Sequence, residues 1–249
     1  MGFLEKIFQD LSGQGLPSAC IICERYQFNT ICKNCLDTFA TNALINYECC
    51  YRCGIALQAD EIAEQKCSSC IANPPYFDAS YCLDRYEGVL QNALHQLKYQ
   101  KRLAYAHGLT TAWNHVIADQ LKAIDASFLF PVPLSTQKLI ARGFNQSWEI
   151  ARKIYCGSHL LKTPFVLKRH HHELPQAGEK FLARRLAIQG MFYLDPRFIE
   201  LLKGKSIVIF DDVMTTGATL NEIARLLKDN GASQVINWVL LRTTRAPHV

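Results

Sequence analysis

Apolar and polar positions change period twice along this chain. Up to about residue 75 large apolar residues are sparse. From Tyr76 onward short apolar runs alternate with stretches of helical spacing. Ser80 to Tyr86, Ser127 to Val132, Lys205 to Phe210 and Gln234 to Leu241 read as strands, with a shorter one at Phe165 to Leu167. Between them Gly88 to Leu97, Leu103 to Leu121, Asn145 to Tyr155 and Thr219 to Asp229 carry apolar residues at helical intervals. Such alternation predicts an α/β fold with a mostly parallel sheet flanked by helices, whose ligands bind beyond the carboxyl ends of the strands. Met1 to Leu11 reads as a short amphipathic helix bearing Phe3, Leu4, Ile7, Phe8 and Leu11. Glu5, Lys6 and Asp10 interrupt it too early for a signal peptide.

Charge and cysteine follow the same division. Of 249 residues, 27 are Lys or Arg and 22 Asp or Glu, a net charge of +5. Up to Cys82 the chain holds 5 basic and 9 acidic residues; beyond it the net charge is +9, so anionic partners are expected on the second part. Nine of the 11 cysteines lie between Cys20 and Cys70. Eight form four Cys-x-x-Cys pairs: Cys20/Cys23, Cys32/Cys35, Cys50/Cys53 and Cys67/Cys70. Each pair offers two thiolates on one tight turn, and two pairs complete a tetrahedral zinc site. Sequential pairing is the simplest arrangement, and a cross-braced one uses the same residues. With no export signal, disulfides are the poorer reading. Two structural zinc ions are expected in a small N-terminal zinc-ribbon domain, residues 1–75, joined through Asn73-Pro74-Pro75 to a domain of residues 76–249. Ligation is expected to supply most of the folding free energy there. No apolar run reaches the length of a membrane span, so no membrane insertion and a cytoplasmic location are expected.

The stretch from Ser206 to Thr219 carries the most chemistry. Four apolar residues lead to Asp211 and Asp212, and Thr215-Thr216-Gly217-Ala218-Thr219 then turns into a helix. Thr219 and Glu222 have capping-box spacing. Amides at the helix start together with threonine hydroxyls suit a phosphate, and two carboxylates beside them suit sugar hydroxyls or a magnesium ion. The residues therefore predict a sugar phosphate site. A solvated acidic turn before a capped helix is the plainer alternative. His170-His171-His172 reads as a solvated loop. Phe144, Trp148, Tyr99 and Tyr105 are candidates for base stacking, with Trp148 better placed in the core.

This stretch resembles the phosphoribosyl-pyrophosphate (PRPP) motif of type I phosphoribosyltransferases. Taken with Phe130 to Leu134, Ala141 to Gln146, Leu97-Lys98-Tyr99 and the cysteine pairs, nearly the whole chain resembles the ComF/GntX family of competence-associated, phosphoribosyltransferase-like proteins. The resemblance implies a type I phosphoribosyltransferase-like fold, PRPP bound with Mg2+, and a role in uptake of transforming DNA. Asp211 and Asp212 would hold ribose hydroxyls, and Thr215, Thr216, Gly217, Ala218 and Thr219 the 5′-phosphate. Val132, Pro133 and Leu134 would lie at the pyrophosphate loop. Gln176 of Pro175-Gln176-Ala177-Gly178, with Arg184 and Arg185, would belong to a mobile loop. Lys98 and Arg142 belong to basic clusters facing the phosphates. Relatives often carry an Asn before the Gly-x-Phe that here is Gly190-Met191-Phe192; this chain has Ala187. No segment identifies an acceptor nucleophile, so turnover stays open. The alternative is a non-catalytic protein that binds single-stranded DNA and passes it to DNA-uptake or recombination proteins.

Overall fold

Nine strands, eight α-helices and three short 3-10 helices occur in the described part of the chain, residues 18–117, 124–157, 159–170 and 189–244 of a computed structural model. Five of the strands are β3 (Ala79–Arg85), β4 (Phe128–Pro131), β5 (Leu161–Lys162), β8 (Ser206–Met214) and β9 (Gln234–Arg242). They lie parallel in one sheet in the order β3–β9–β8–β4–β5. Two short antiparallel pairs stand apart, β1 (Ser18–Ala19) with β2 (Tyr26–Gln27) and β6 (Leu167–Arg169) with β7 (Phe192–Leu194). Helices follow in chain order as α1 (Lys33–Asn42), α2 (Ser68–Ala72), α3 (Gly88–Gln100), α4 (Ala104–Val116), α5 (Thr136–Arg142), α6 (Gln146–Ala151), α7 (Ile199–Leu202) and α8 (Ala218–Asp229). The expected α/β architecture, a mostly parallel sheet flanked by helices, is present.

Burial explains the sequence of the central strand. Ile207, Val208, Ile209 and Phe210 are all fully buried because both faces of a parallel sheet are covered. On one face Val208, Phe210 and Trp238 meet Leu94 and Leu97 of α3 and Leu109 and Trp113 of α4. On the other, Ile207, Ile209 and Val239 meet Leu220, Ile223 and Leu227 of α8, a stripe at helical spacing.

The two cysteine groups pack on opposite faces of this sheet. Cys20, Ile31 and Phe39 join the α3–α4 face, where Thr30 and Thr111 hydroxyls lie 3.4 Å apart. Cys50, Cys53, Cys67 and Cys70 join the α8 face with Phe77 and Cys82. The chain crosses between faces at Ala43 and Leu44, which belong to different cores, and the Leu44 amide donates to Asp84 at the end of β3 (3.3 Å). Edge strand β3 is covered there, since the Ser80 amide donates to the Tyr51 carbonyl at 2.9 Å. Apolar burial of Ile31, Phe39 and Leu44 thus anchors the cysteine-rich segment alongside any metal.

Several boundaries differ from the sequence reading. Strand β8 runs on to Met214 because Val213 and Met214 pair with Leu241 and Arg242. The helix after Asn145 stops at Ala151, and the strand expected at Phe165 to Leu167 lies at Leu167–Arg169, paired with the unforeseen β7. The amphipathic segment Met1 to Leu11, residues 118–123, His171 and His172, and the loop with Gln176, Arg184 and Arg185 lie outside the described residues.

Candidate functional site

At the carboxyl end of β8 the chain bends through Thr215 and Thr216 into α8. Gly217 is the N-cap, with φ +79°, a backbone region open to glycine. A Cβ there would also meet Met214 Cε at 2.6 Å. The helix therefore starts at Ala218, two residues earlier than a Thr219 N-cap with Glu222 at its third position would place it, and no capping box forms. Glu222 instead accepts from the Gly190 amide (2.9 Å) and pairs with Arg225. The Ala218 amide donates to the Thr216 hydroxyl (3.3 Å) and the Asn221 amide to the Gly217 carbonyl (2.8 Å). Helix geometry leaves the Thr219 and Leu220 amides unused by the helix itself, facing its positive end. Thr215, Thr216, Gly217, Ala218 and Thr219 all line one cavity of about 610 Å³.

Asp211 lines that cavity; Asp212 does not. Consecutive strand residues point to opposite faces, and β8 includes both acids. Asp212 turns toward α3 and α6. It forms an ion pair with Lys98 Nζ, and its Oδ1 accepts from Gln146 Nε2 at 2.8 Å and Ser147 Oγ at 3.3 Å. Arg142 in turn donates to Gln146 Oε1 and lies over the Tyr99 ring, 5.9 Å from its centroid. Burial opposes the charge on Asp212, but Lys98, Gln146 and Ser147 together hold its carboxyl below the ordinary value. Burial, and then the charge of Asp212, push the Asp211 carboxyl well up; Lys98 opposes them only in part. The two carboxyls are neighbours, but their further surroundings differ. One belongs to the cavity and the other to a buried polar network.

The remaining expected residues separate by position. Val132, Pro133 and Leu134 follow β4, next to β8 in the sheet, and the Val132 carbonyl accepts from Asn145 Nδ2 at 3.0 Å. Asn145 also caps α6 through its side chain. The run Ala141 to Gln146 therefore supports both the turn after β4 and the Asp212 network, a role for Asn145, Gln146 and Ser147 that sequence reasoning missed. Trp148 is half-buried. The His170 ring stacks on Tyr193, with centroids 4.4 Å apart.

The thiols fall into two groups, Cys20/Cys23/Cys32/Cys35 and Cys50/Cys53/Cys67/Cys70, each with sulfurs within 4.8 Å of one another. This is the sequential pairing. Zinc–sulfur bonds of about 2.3 Å in a tetrahedron require sulfur–sulfur edges of about 3.8 Å. Cys23 to Cys32 is 3.8 Å and Cys53 to Cys67 is 3.7 Å, so the residues fit zinc. Burial raises the Cys20 thiol, yet amides around Cys23 and Cys32 outweigh it and bring it down to about 7. Cys82, outside both groups, is pushed up to about 12 by burial and is an inert thiol.

A second residue absent from the sequence reading links these parts. Arg242, at the end of β9 and 5% exposed, donates from Nε to the Cys53 carbonyl at 2.9 Å. Its Nη1 donates to the carbonyls of Met214 (3.0 Å) and Thr215. The cavity is accordingly walled by the threonine loop on one side and by Cys53, Ser69, Cys70 and Asn73 on the other, with Arg242 between them. No local signal marks Arg242, because its partners lie 189 and 28 residues away.

Comparison with known proteins agrees with this geometry. Residues 148–247 match the phosphoribosyl transferase domain family. Competence protein F of Haemophilus influenzae is 27% identical over 217 residues, 85% of this chain and 92% of that protein. The DNA utilization protein YhgH of Escherichia coli K12 is 29% identical over 86% of this chain and 90% of its own length. Competence protein ComFC of Bacillus subtilis is 34% identical over 46% of this chain and 44% of its length. Over most of its length the chain is thus similar to proteins named for competence and DNA utilization, with a phosphoribosyl transferase domain match in its second part and two four-cysteine groups in its first.

Proposed function

We propose that the chain binds PRPP with Mg2+, or a related ribose phosphate, and works as a phosphoribosyltransferase-like protein in natural competence. The observation that carries this reading is the sharing of one cavity by the Thr215–Thr219 loop and Asp211. The loop's amides and hydroxyls would receive the 5′-phosphate at the positive end of α8. Asp211, once ionised, would accept from ribose hydroxyls and hold the ring; a magnesium ion arriving with the pyrophosphate would find the same carboxylate. Val132, Pro133 and Leu134, at the neighbouring strand end, would border the pyrophosphate, while Lys98 and Arg142 stand in the network around Asp212 and Gln146. Were the ligand turned over, the C1–oxygen bond to pyrophosphate would break as an acceptor attacks C1. The protein's part would be orientation and charge stabilisation.

Titration calorimetry with PRPP and Mg2+ tests this. Thr216→Ala with Thr219→Val should weaken binding at least about tenfold, as expected for lost phosphate contacts worth more than 1.4 kcal/mol. Unchanged affinity in that variant would count against the loop as the phosphate site.

A second reading, single-stranded DNA handling, rests on Tyr99, which is 61% exposed beneath Arg142, and on the net charge of +9 beyond Cys82. Relatives named for competence and DNA utilization give the same direction. An aromatic face with a guanidinium above it suits an unpaired base. On this reading the protein acts in the cytoplasm and passes DNA to uptake or recombination proteins. No helix among the described residues is long and apolar enough to cross a membrane. Single-strand affinity that falls steeply with salt and drops on Tyr99→Ala supports it; an affinity indifferent to that change speaks against it.

A further inference from the structure

We propose that Arg242 is a positioning residue that makes the grip of the Thr215–Thr219 loop depend on the metal state of the Cys50/Cys53/Cys67/Cys70 site, and not on that of the other cysteine group. The side chain is buried, and it donates to the carbonyls of Cys53, Met214 and Thr215 and to the carbonyl and hydroxyl of Thr243. None of these is a carboxylate, and Arg242 has no ion pair among the described residues. Four thiolates around one zinc carry a net charge of about −2, so the metal-loaded site is a negative group close to this guanidinium.

The Cys53 carbonyl belongs to the turn that carries two of the four thiols, closed by the Gly54 amide donating to the Cys50 carbonyl at 2.7 Å. Gly54 follows with φ +66°, and a Cβ on it would run into the Cys82 sulfur. Releasing the metal frees that turn, and the Cys53 acceptor moves with it. On its other side Arg242 is in register with Met214, the last residue of β8 before the loop. One rigid group therefore spans two carbonyl sets that belong to different parts of the chain. The Cys20/Cys23/Cys32/Cys35 group sits on the opposite face of the sheet and has no such strut among the described residues.

The proposal rests on the loop as an anion site, but its primary readout does not. Amide hydrogen exchange across residues 215–221 is followed in five proteins: wild type, Arg242→Met, Cys67→Ser, the Arg242→Met/Cys67→Ser double variant and Cys23→Ser, with zinc content and exchange at Ile209 as controls for folding. Arg242→Met and Cys67→Ser should each speed exchange in the loop by about tenfold or more, the double variant no further, and Cys23→Ser should leave it as in wild type. Inorganic phosphate affinity should fall in the same two variants. Should Arg242→Met not fold, Arg242→Lys, which keeps the charge and loses the fork, takes its place. Loop exchange unchanged in the Arg242 variant, additive effects in the double variant, or equal loosening by Cys23→Ser would overturn the coupling. Failure of the wild type to bind phosphate would sink the ligand reading alone, leaving the exchange comparison decisive for Arg242.

Discussion

Asp211 and Asp212, joined by a peptide bond, have different surroundings: Asp211 lines the cavity of the threonine loop, and Asp212 is paired with Lys98 of α3. Their chemical equivalence ends there. On the proposed reading Asp211 would meet the ligand, while Asp212 supports the strand end through Lys98, Gln146 and Ser147.

Single substitutions should separate those roles. Asp212→Asn leaves the Lys98 ammonium without its partner, and loss of one member of a buried pair costs about 3–5 kcal/mol. Urea unfolding should show a loss of that order, reproduced by Lys98→Met and not enlarged in the double variant. Asp211→Asn should leave the unfolding midpoint near that of the wild type while weakening PRPP binding. A large stability loss in Asp211→Asn would contradict the division.

Stability should depend on pH in two senses. The Asp211 carboxyl is raised in the folded protein, so the folded state holds its proton more tightly than the unfolded chain. As pH climbs from about 4, the ordinary aspartate value, through the raised folded value, its contribution makes the protein less stable. For Asp212, held low by Lys98 against its burial, the stabilisation is present above the ordinary value and is lost as pH falls toward the folded one. Thermal melting from acid to neutral pH should therefore show a shallower decline on the high side in Asp211→Asn. It should show less acid loss in Asp212→Asn. Because the two carboxyls titrate as a pair, each variant is read against the wild-type curve.

Gly217 tests the loop by backbone alone. Alanine at φ +79° costs about 1–2 kcal/mol, and its methyl must also displace Met214 Cε. Gly217→Ala should lower the melting temperature by several degrees, roughly in proportion to that cost, and weaken phosphate-ester binding. Gly143 is the control, since it too has positive φ but an added methyl would meet nothing within 4 Å. Gly143→Ala should carry the backbone cost without the loss of binding.

Zinc analysis should find two ions per chain. Cys35→Ser and Cys70→Ser should each remove one, since each of these residues belongs to a different group. Chelation should lower the melting temperature, with release of both ions followed by a colorimetric dye. A single ion per chain, or one lost jointly on either substitution, would exclude two independent sites.

Much of this protein was readable from its residues alone. Four Cys-x-x-Cys pairs carry their chemistry locally, because two thiols three residues apart share a turn whatever surrounds them. Strand and helix alternation beyond Tyr76 was equally plain, since the fully buried run Ile207 to Phe210 and the α8 stripe are properties of short windows. So was the threonine loop, where a glycine-bearing bend must join a strand to a helix.

Other features required distant partners. Where β8 ends depends on Leu241 and Arg242 holding Val213 and Met214 in the ladder, so the local window placed the acids beyond the strand and could not say which way each faced. The cysteine groups read as a double zinc ribbon in one small domain, yet they pack on opposite faces of the sheet, against apolar side chains of α4 and α8. Arg242 carries no motif at all. Its meaning comes from carbonyls that only the folded chain brings within reach, because hydrogen bonds between remote segments follow from packing and leave no period in the sequence.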